Sequence, residues 1–211
     1  MTTRRVISSP TPPASSAGDP MLILPPRSEV RARPIETERL ILVPIDPSDG
    51  PELWLAVNGS RATLQRWLPW VQFHTDPAAS VRFAEACAAD WDHGRALRFV
   101  IRERAHRSLA GVVGLEACVH LHRSCELGYW LRKEATGRGL MTEAARAALG
   151  FAFGHMGAHR VRVAAATDNH PSLAVIGRLG FRFEGIARQA EWCDGRWLDH
   201  SVFALLATDP R

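Results

Sequence analysis

From Thr37 onward the apolar positions fall into short, regular runs. Arg39-Leu-Ile-Leu-Val-Pro-Ile45 is almost continuously apolar and is closed by Asp46-Pro-Ser-Asp-Gly-Pro51, which predicts a first strand ended by a turn. Residues 52–58 and 62–68 carry the spacing of short helices. Asp76 followed by Pro77 has the form of an N-cap with proline in the first turn, so a helix is expected to about Trp91, with Val81, Ala84 and Ala88 on one face. Three strand candidates follow at residues 97–101, 110–118 and 126–131. At Leu140 the period returns to that of a helix: Leu140, Ala144, Ala147 and Phe151 share a face, and Gly154 and Gly157 mark the end. A strand at 160–166, a helix at 171–179 ended by Gly180, and a strand pair around 181–188 and 197–206 complete the chain. This order predicts an α/β protein (α+β mixed), a mixed sheet with helices on both faces, without internal repeats.

The first 34 residues break the regularity. Residues 8–18 form a Pro/Ser-rich tract that cannot bury enough apolar area to fold, so a disordered leader over 1–34 is expected ahead of one domain over 35–211. No apolar segment of export length follows Arg4-Arg5, and Met21-Leu-Ile-Leu24 is far too short to span a bilayer; neither export nor membrane insertion is expected. With 46% hydrophobic and 23% charged residues, the full chain has an ordinary globular composition. The formal charge of +4 raises nucleic acid as a partner, but the Arg residues are scattered and no recognition-helix or zinc-finger pattern occurs; a small anionic ligand accounts for the balance as well. Cys87, Cys118, Cys125 and Cys193 show no C-x-x-C spacing and read as reduced, cytoplasmic thiols. His120 and His122 beside Arg123 read as a solvated strand-end loop, and no metal is assigned.

Candidate chemistry concentrates in Glu126-Leu-Gly-Tyr-Trp-Leu131 and the Gly137-Arg-Gly139 that follows it before the helix at Leu140. Strand, glycine pair and helix N-terminus make an anion cradle, because glycine allows a tight turn and close approach while the first helical N–H groups point outward. A glycine pair also serves ordinary strand-to-helix turns, so the motif alone leaves both readings open.

Four blocks together go further: Arg66-Trp-Leu-Pro-Trp-Val-Gln-Phe73; the Glu126 strand with Gly137-Arg-Gly139; Asp168-Asn-His-Pro-Ser172 leading to Arg178-Leu-Gly-Phe181; and Glu184-Gly-Ile-Ala-Arg-Gln-Ala-Glu191 with Asp199. In order and spacing the chain resembles the GNAT superfamily of N-acyltransferases, in its RimJ/RimL-type ribosomal-protein N-terminal acetyltransferase branch, over residues 37–208. The resemblance implies a GNAT fold, a mostly antiparallel twisted sheet with a central parallel strand pair, and direct transfer of an acetyl group from acetyl-CoA to a primary amine in a ternary complex. It places Leu131, Arg132, Gly137, Arg138, Gly139, Met141 and Thr142 in the cofactor cradle, Asn169 on the pantetheine arm and Arg178 near the cofactor. Glu134 departs from the Gln or Arg of many relatives, which shifts weight onto Arg132 and Arg138.

Many relatives donate to the departing thiolate from a tyrosine where this chain has Ile176, and Tyr129 is its single tyrosine; Ser172 matches the donor of the Rim-type branch. Glu191 matches that branch's general base, with Glu126, in an otherwise apolar strand, as a second candidate and Glu116 as a weaker third. Each has an ordinary reading beside it: a turn residue for Asn169, a last-turn cation for Arg178, a first-turn helix residue for Ser172, surface or Arg-paired carboxylates for the glutamates. The acceptor implied is a ribosomal-protein or other protein N terminus. A small-molecule amine or antibiotic acetyltransferase and a non-catalytic CoA-binding regulatory module stay as alternatives. Members of the family are often dimers, so a homodimer is an expected assembly.

Overall fold

A computed structural model describes residues 21–210. One eight-stranded sheet runs in the order β1 (Ile35–Glu36), β2 (Leu40–Pro44), β3 (Leu97–Glu103), β4 (Leu109–Val119), β5 (Ser124–Leu131), β6 (Arg160–Ala166), β8 (Arg196–Leu206), β7 (Arg182–Cys193). Every neighbouring pair is antiparallel except β5–β6. The helices are α1 (Arg27–Ala32), α2 (Gly50–Gly59), α3 (Arg61–Leu64), α4 (Pro77–Asp92), α5 (Leu140–Gly154) and α6 (His170–Arg178). Among the described residues, no helix is long and apolar enough to cross a membrane.

Alternation along the central strands sorts the side chains into two cores. Cys125 and Leu127 of β5 and Val161 and Val163 of β6 join the α5/α6 side, with Phe151 and Ile176. Val112 and Trp130 turn to the opposite face, packing with Leu53 of α2 and Ala84 and Cys87 of α4. Helices therefore cover both faces of the mixed sheet. α5 presents Leu140, Ala144 and Phe151 to its core together with Ala145, Ala148 and Ala152, small residues that let the helix lie close to the sheet. α4 starts where the N-cap signal placed it, with the Asp76 carboxylate accepting from the Ala79 N–H at 2.8 Å. Its buried stripe is Ser80, Ala84, Cys87 and Trp91 rather than Val81, Ala84 and Ala88. Trp91 accounts for the rotation: its indole packs edge-on against Phe99 at 5.2 Å between centroids and draws that stripe inward.

Residues 21–34, expected as part of the disordered leader, are packed instead. Leu22 is buried, the Ile23 N–H donates to Met156 O at 2.9 Å, Trp91 Nε1 donates to Pro25 O at 2.9 Å, and α1 buries Val30. The apolar positions responsible are few and interrupted by Pro25-Pro26, so the sequence signal was too short to read. The rest of that expectation, residues 1–20, lies outside the described residues. His120 also departs from its reading as a solvated loop residue: its Nδ1 lies 3.1 Å from Leu22 O and its Nε2 2.9 Å from Gly94 O, fastening the segment to the body.

Candidate active site

The site begins where the sheet opens. β5 and β6 are in register only over Ser124–Arg160, Cys125–Val161 and Glu126–Arg162. Beyond that point β5 runs on to Leu131 while β6 continues to pair with β8 through Ala166. Residues 127–131 of β5 therefore have no β6 partner, and the wedge between the strands exposes backbone groups that an extended ligand can pair with.

At the end of β5 the chain builds the cradle. Gly137 and Gly139 are left-handed, with φ of 74° and 76°, and Gly139 is the N-cap of α5 with no side chain to cap it. The first-turn N–H groups of α5 thus lack a side-chain acceptor, and a Cβ built on Gly137 would meet nothing within 4 Å, so the surface is open. Arg132 Nε is buried without a hydrogen-bond partner among the described residues. Open turn, uncapped helix and orphaned donor suit the phosphates of coenzyme A. Carboxylates nearby are engaged. Glu143 accepts from Thr37 Oγ1 at 2.6 Å and from Arg39; burial raises its pKa, but these bonds outweigh burial and hold it below the usual range. Arg138 forks onto Glu103 at 2.6 and 3.0 Å, so its guanidinium is committed there and its backbone is what faces the turn. Glu134 is exposed, Met141 is buried in the core, and Leu131 and Thr142 are half-buried, which leaves their backbone groups as the means of contact.

Coenzyme A should raise the melting temperature, by roughly 2.7 kcal/mol of added stability at a hundredfold excess over Kd. Gly139→Asp places a carboxylate at this helix start, and should remove most of that shift in a thermal melt while the protein stays folded. An unchanged shift would mean that the phosphates bind elsewhere.

Across the wedge, Tyr129 on β5 and Ser172 in the first turn of α6 meet, with the phenol oxygen 2.9 Å from Ser172 Oγ. Burial pushes the Tyr129 pKa up to about 12 against the lowering effect of that bond, so the phenol keeps its proton at neutral pH. Sequence reasoning passed over Tyr129 because the family's tyrosine position holds Ile176, which is fully buried here. The signal was present: the alternation Leu127, Tyr129, Leu131 directs the phenol toward the α5/α6 side, where Ser172 lies. Asn169 is the N-cap of α6, its Oδ1 accepting from the Ser172 N–H at 3.3 Å, and so holds the serine in place. Arg178 is exposed in the last turn of α6, where its carbonyl accepts from Arg146 of α5 at 3.2 Å.

The three candidate carboxylates occupy one sheet face. Glu126 accepts from Arg162 at 2.5 Å and Glu116 from Arg98 at 2.6 Å, and Arg98 also donates to Asp90 at 2.6 Å. Glu191 sits after a bulge in β7 opposite Leu198, its Oε2 3.5 Å from His200 Nε2. Glu191 is thus the candidate whose partner can itself exchange a proton, whereas a guanidinium does not.

On this face a cavity of about 620 Å³ adjoins Gly128 and Tyr129. Trp70, Phe73 and His74 line it on one side, and the facing wall is Phe83 of α4 with Val112 and Trp130 of the sheet. Trp67 alone reaches β7–β8, packing with Cys193 and Leu198 beneath the Arg196 guanidinium, 5.5 Å from its ring. Among the described residues no cluster fit to hold a metal ion occurs.

An open parallel pair followed by a glycine-rich helix start is the arrangement of a coenzyme A dependent acyltransferase. The chain matches the acetyltransferase (GNAT) domain family over residues 39–182 and belongs to it. The Bacillus subtilis protein YdaF is 30% identical over 171 residues, covering 80% of this chain and 92% of that protein. The Escherichia coli [ribosomal protein uS5]-alanine N-acetyltransferase is 28% identical over 185 residues, 87% of this chain and 95% of that one. Among solved structures, the ribosomal L7/L12 alpha-N-protein acetyltransferase RimL in complex with coenzyme A superposes with a TM-score of 0.79 at 26% identity, covering 82% of this chain and 98% of that one. The microcin C7 self-immunity acetyltransferase MccE with acetyl-CoA and AMP gives 0.75 at 26%, covering 81% and 93%. The chain is accordingly an acetyl-CoA-dependent N-acetyltransferase.

Proposed function

We propose that the acceptor is the free α-amine of a protein or peptide N terminus, with ribosomal proteins the first class to test, and that transfer is direct in a ternary complex. The observation that carries this is the Tyr129–Ser172 hydroxyl pair set across an open strand wedge, with Glu191–His200 and an uncapped helix start on the same end of the sheet. Cofactor contacts come from the backbone of residues 131–142, from Arg132 Nε, and from the Asn169 amide nitrogen that capping leaves unused. Acetyl-CoA supplies the activated thioester. Glu191 takes the proton of the attacking amine, with His200 Nε2 3.5 Å from its carboxylate, and the Ser172 hydroxyl, itself backed by the protonated Tyr129, donates to the departing sulfur. Glu126 and Glu116, each tied to an arginine, serve structure on this reading. The four free cysteines accord with a cytoplasmic location.

An α-amine, with a pKa near 7.7 to 8.0, is neutral far more often at pH 7 than a lysine near 10.4. Matched basic peptides containing lysine, one with a free and one with a blocked N terminus, should therefore differ under mass-spectrometric readout: only the free one is acetylated, at its α-nitrogen. Modification confined to lysine, or to a polyamine or aminoglycoside with both peptides untouched, would move the acceptor to the small-amine class.

A further inference from the structure

The cavity on the acceptor face is too large and too apolar for the amine alone. At about 620 Å³ it falls within the roughly 300–1,000 Å³ of pockets that enclose a small molecule. Its walls include the rings of Trp70, Phe83 and Trp130, with Trp70 lying 6.4 Å from Phe83 and 6.2 Å from Trp130 between centroids. Arg82 lines it as an exposed cation 3.7 Å from Asp76, but the buried polar groups around it are spent on the protein itself. His74 is buried, and its Nε2 lies 2.6 Å from the hydroxyl of the fully buried Ser80. Arg98 is forked between Asp90 and Glu116. Two glycines paired across β4 and β5, Gly114 and Gly128, leave room for this arrangement: a Cβ at Gly114 would lie 2.8 Å from Glu116 Oε1 and force the carboxylate to shift. A wall of rings over a self-neutralised floor offers an acceptor apolar contact and little hydrogen bonding.

We propose that this chamber takes the side chain of the acceptor's first residue and selects a large apolar or aromatic one, in contrast to the alanine in the name of the Escherichia coli relative. The position supports it: the chamber borders Gly128 and Tyr129, the strand segment that carries the hydroxyl pair, so a residue whose amine reaches the wedge can lay its side chain against the rings. A small first residue would leave the space to water and gain nothing from it. The inference rests on the α-amine reading.

Peptides identical except for Ser, Leu or Phe at the first position are assayed for kcat/KM with acetyl-CoA. We expect Leu and Phe to exceed Ser by on the order of 10-fold or more, the scale of discrimination that apolar pockets reach. Ala79→Trp, on the half-buried first turn of α4 beside the cavity, fills it with an indole and should bring the ratio close to one; a retained coenzyme A shift in the melt shows that the variant is folded. Arg82→Trp, at an exposed position lining the same space, is the second variant should the first misfold, with the same expected collapse of the ratio. Equal rates for Ser and Phe in the wild type overturn the inference. So does a variant that lowers all peptides equally, or one that alters the preference between acetyl-CoA and hexanoyl-CoA, which would make the chamber an acyl pocket. If neither Ser nor Phe peptide reacts but phenethylamine outpaces ethylamine and Ala79→Trp removes the gap, the α-amine reading fails and the chamber assignment stands.

Discussion

Glu191→Gln lowers turnover by about 10² or more, the usual size of a general-base contribution, while leaving the coenzyme A shift in the melt nearly intact. The carboxylate lies on the acceptor face beside His200 and away from the glycine turn, so removing its charge should spare the cofactor. The deficit shrinks as pH rises, because more of the acceptor amine is then neutral without help. Glu126→Gln behaves differently: it unpairs Arg162, so its main effect is on stability, with turnover changed little. Steady-state rates over a pH series for both variants decide the matter. A pH-rescued loss in Glu126→Gln and none in Glu191→Gln would move the base to β5.

Arg98→Met lowers stability by about 3 kcal/mol, the lower end of what breaking a buried ion pair costs. Arg98 joins Asp90 of α4 to Glu116 of β4, its side chain 17% exposed, and without it Glu116 loses its ion-pair partner while Asp90 keeps only Arg95, so the two half-buried carboxylates repel each other. For a chain of this size the melting temperature should fall by roughly 6–12 °C. The difference depends on pH in a definite direction. Burial raises the Asp90 pKa, but the bonds from Arg98 and Arg95 outweigh it and hold the group below the ordinary carboxylate value. A depressed folded pKa contributes stability above the unfolded value and loses it as pH falls through the lowered one. The gap between wild type and Arg98→Met should therefore be full at pH 7 and narrow below about pH 4, as Asp90 protonates in both states. A gap that stays constant to pH 3 would mean that packing, not charge, was lost.

Local signals fixed the elements well where they were strong and self-contained. The Asp76-Pro77 cap, the alternating strand at 160–166 and the Gly-bounded helix from Leu140 all appear where the pattern placed them, because each depends on neighbours within a turn or on a short local alternation. The 21–34 segment was misread because its contacts, Leu22 to His120 and Pro25 to Trp91, are made with residues far along the chain. The rotation of α4 was missed for the same reason, since Trp91 is aimed by Phe99 on β3.

By itself, then, the sequence determined the order of strands and helices, the glycine turn and the family to which the chain belongs. These follow from spacing along the backbone, which sequence records directly. Only the tertiary structure decided that Arg138 is held by Glu103, that Tyr129 backs Ser172, that Glu126 is tied to Arg162 while Glu191 faces a histidine, and that α4 rather than β7 walls the chamber. Such pairings join residues 30 or more positions apart in most cases, and a side chain's partner there is chosen by sheet register and helix rotation, neither of which is written at the residue itself.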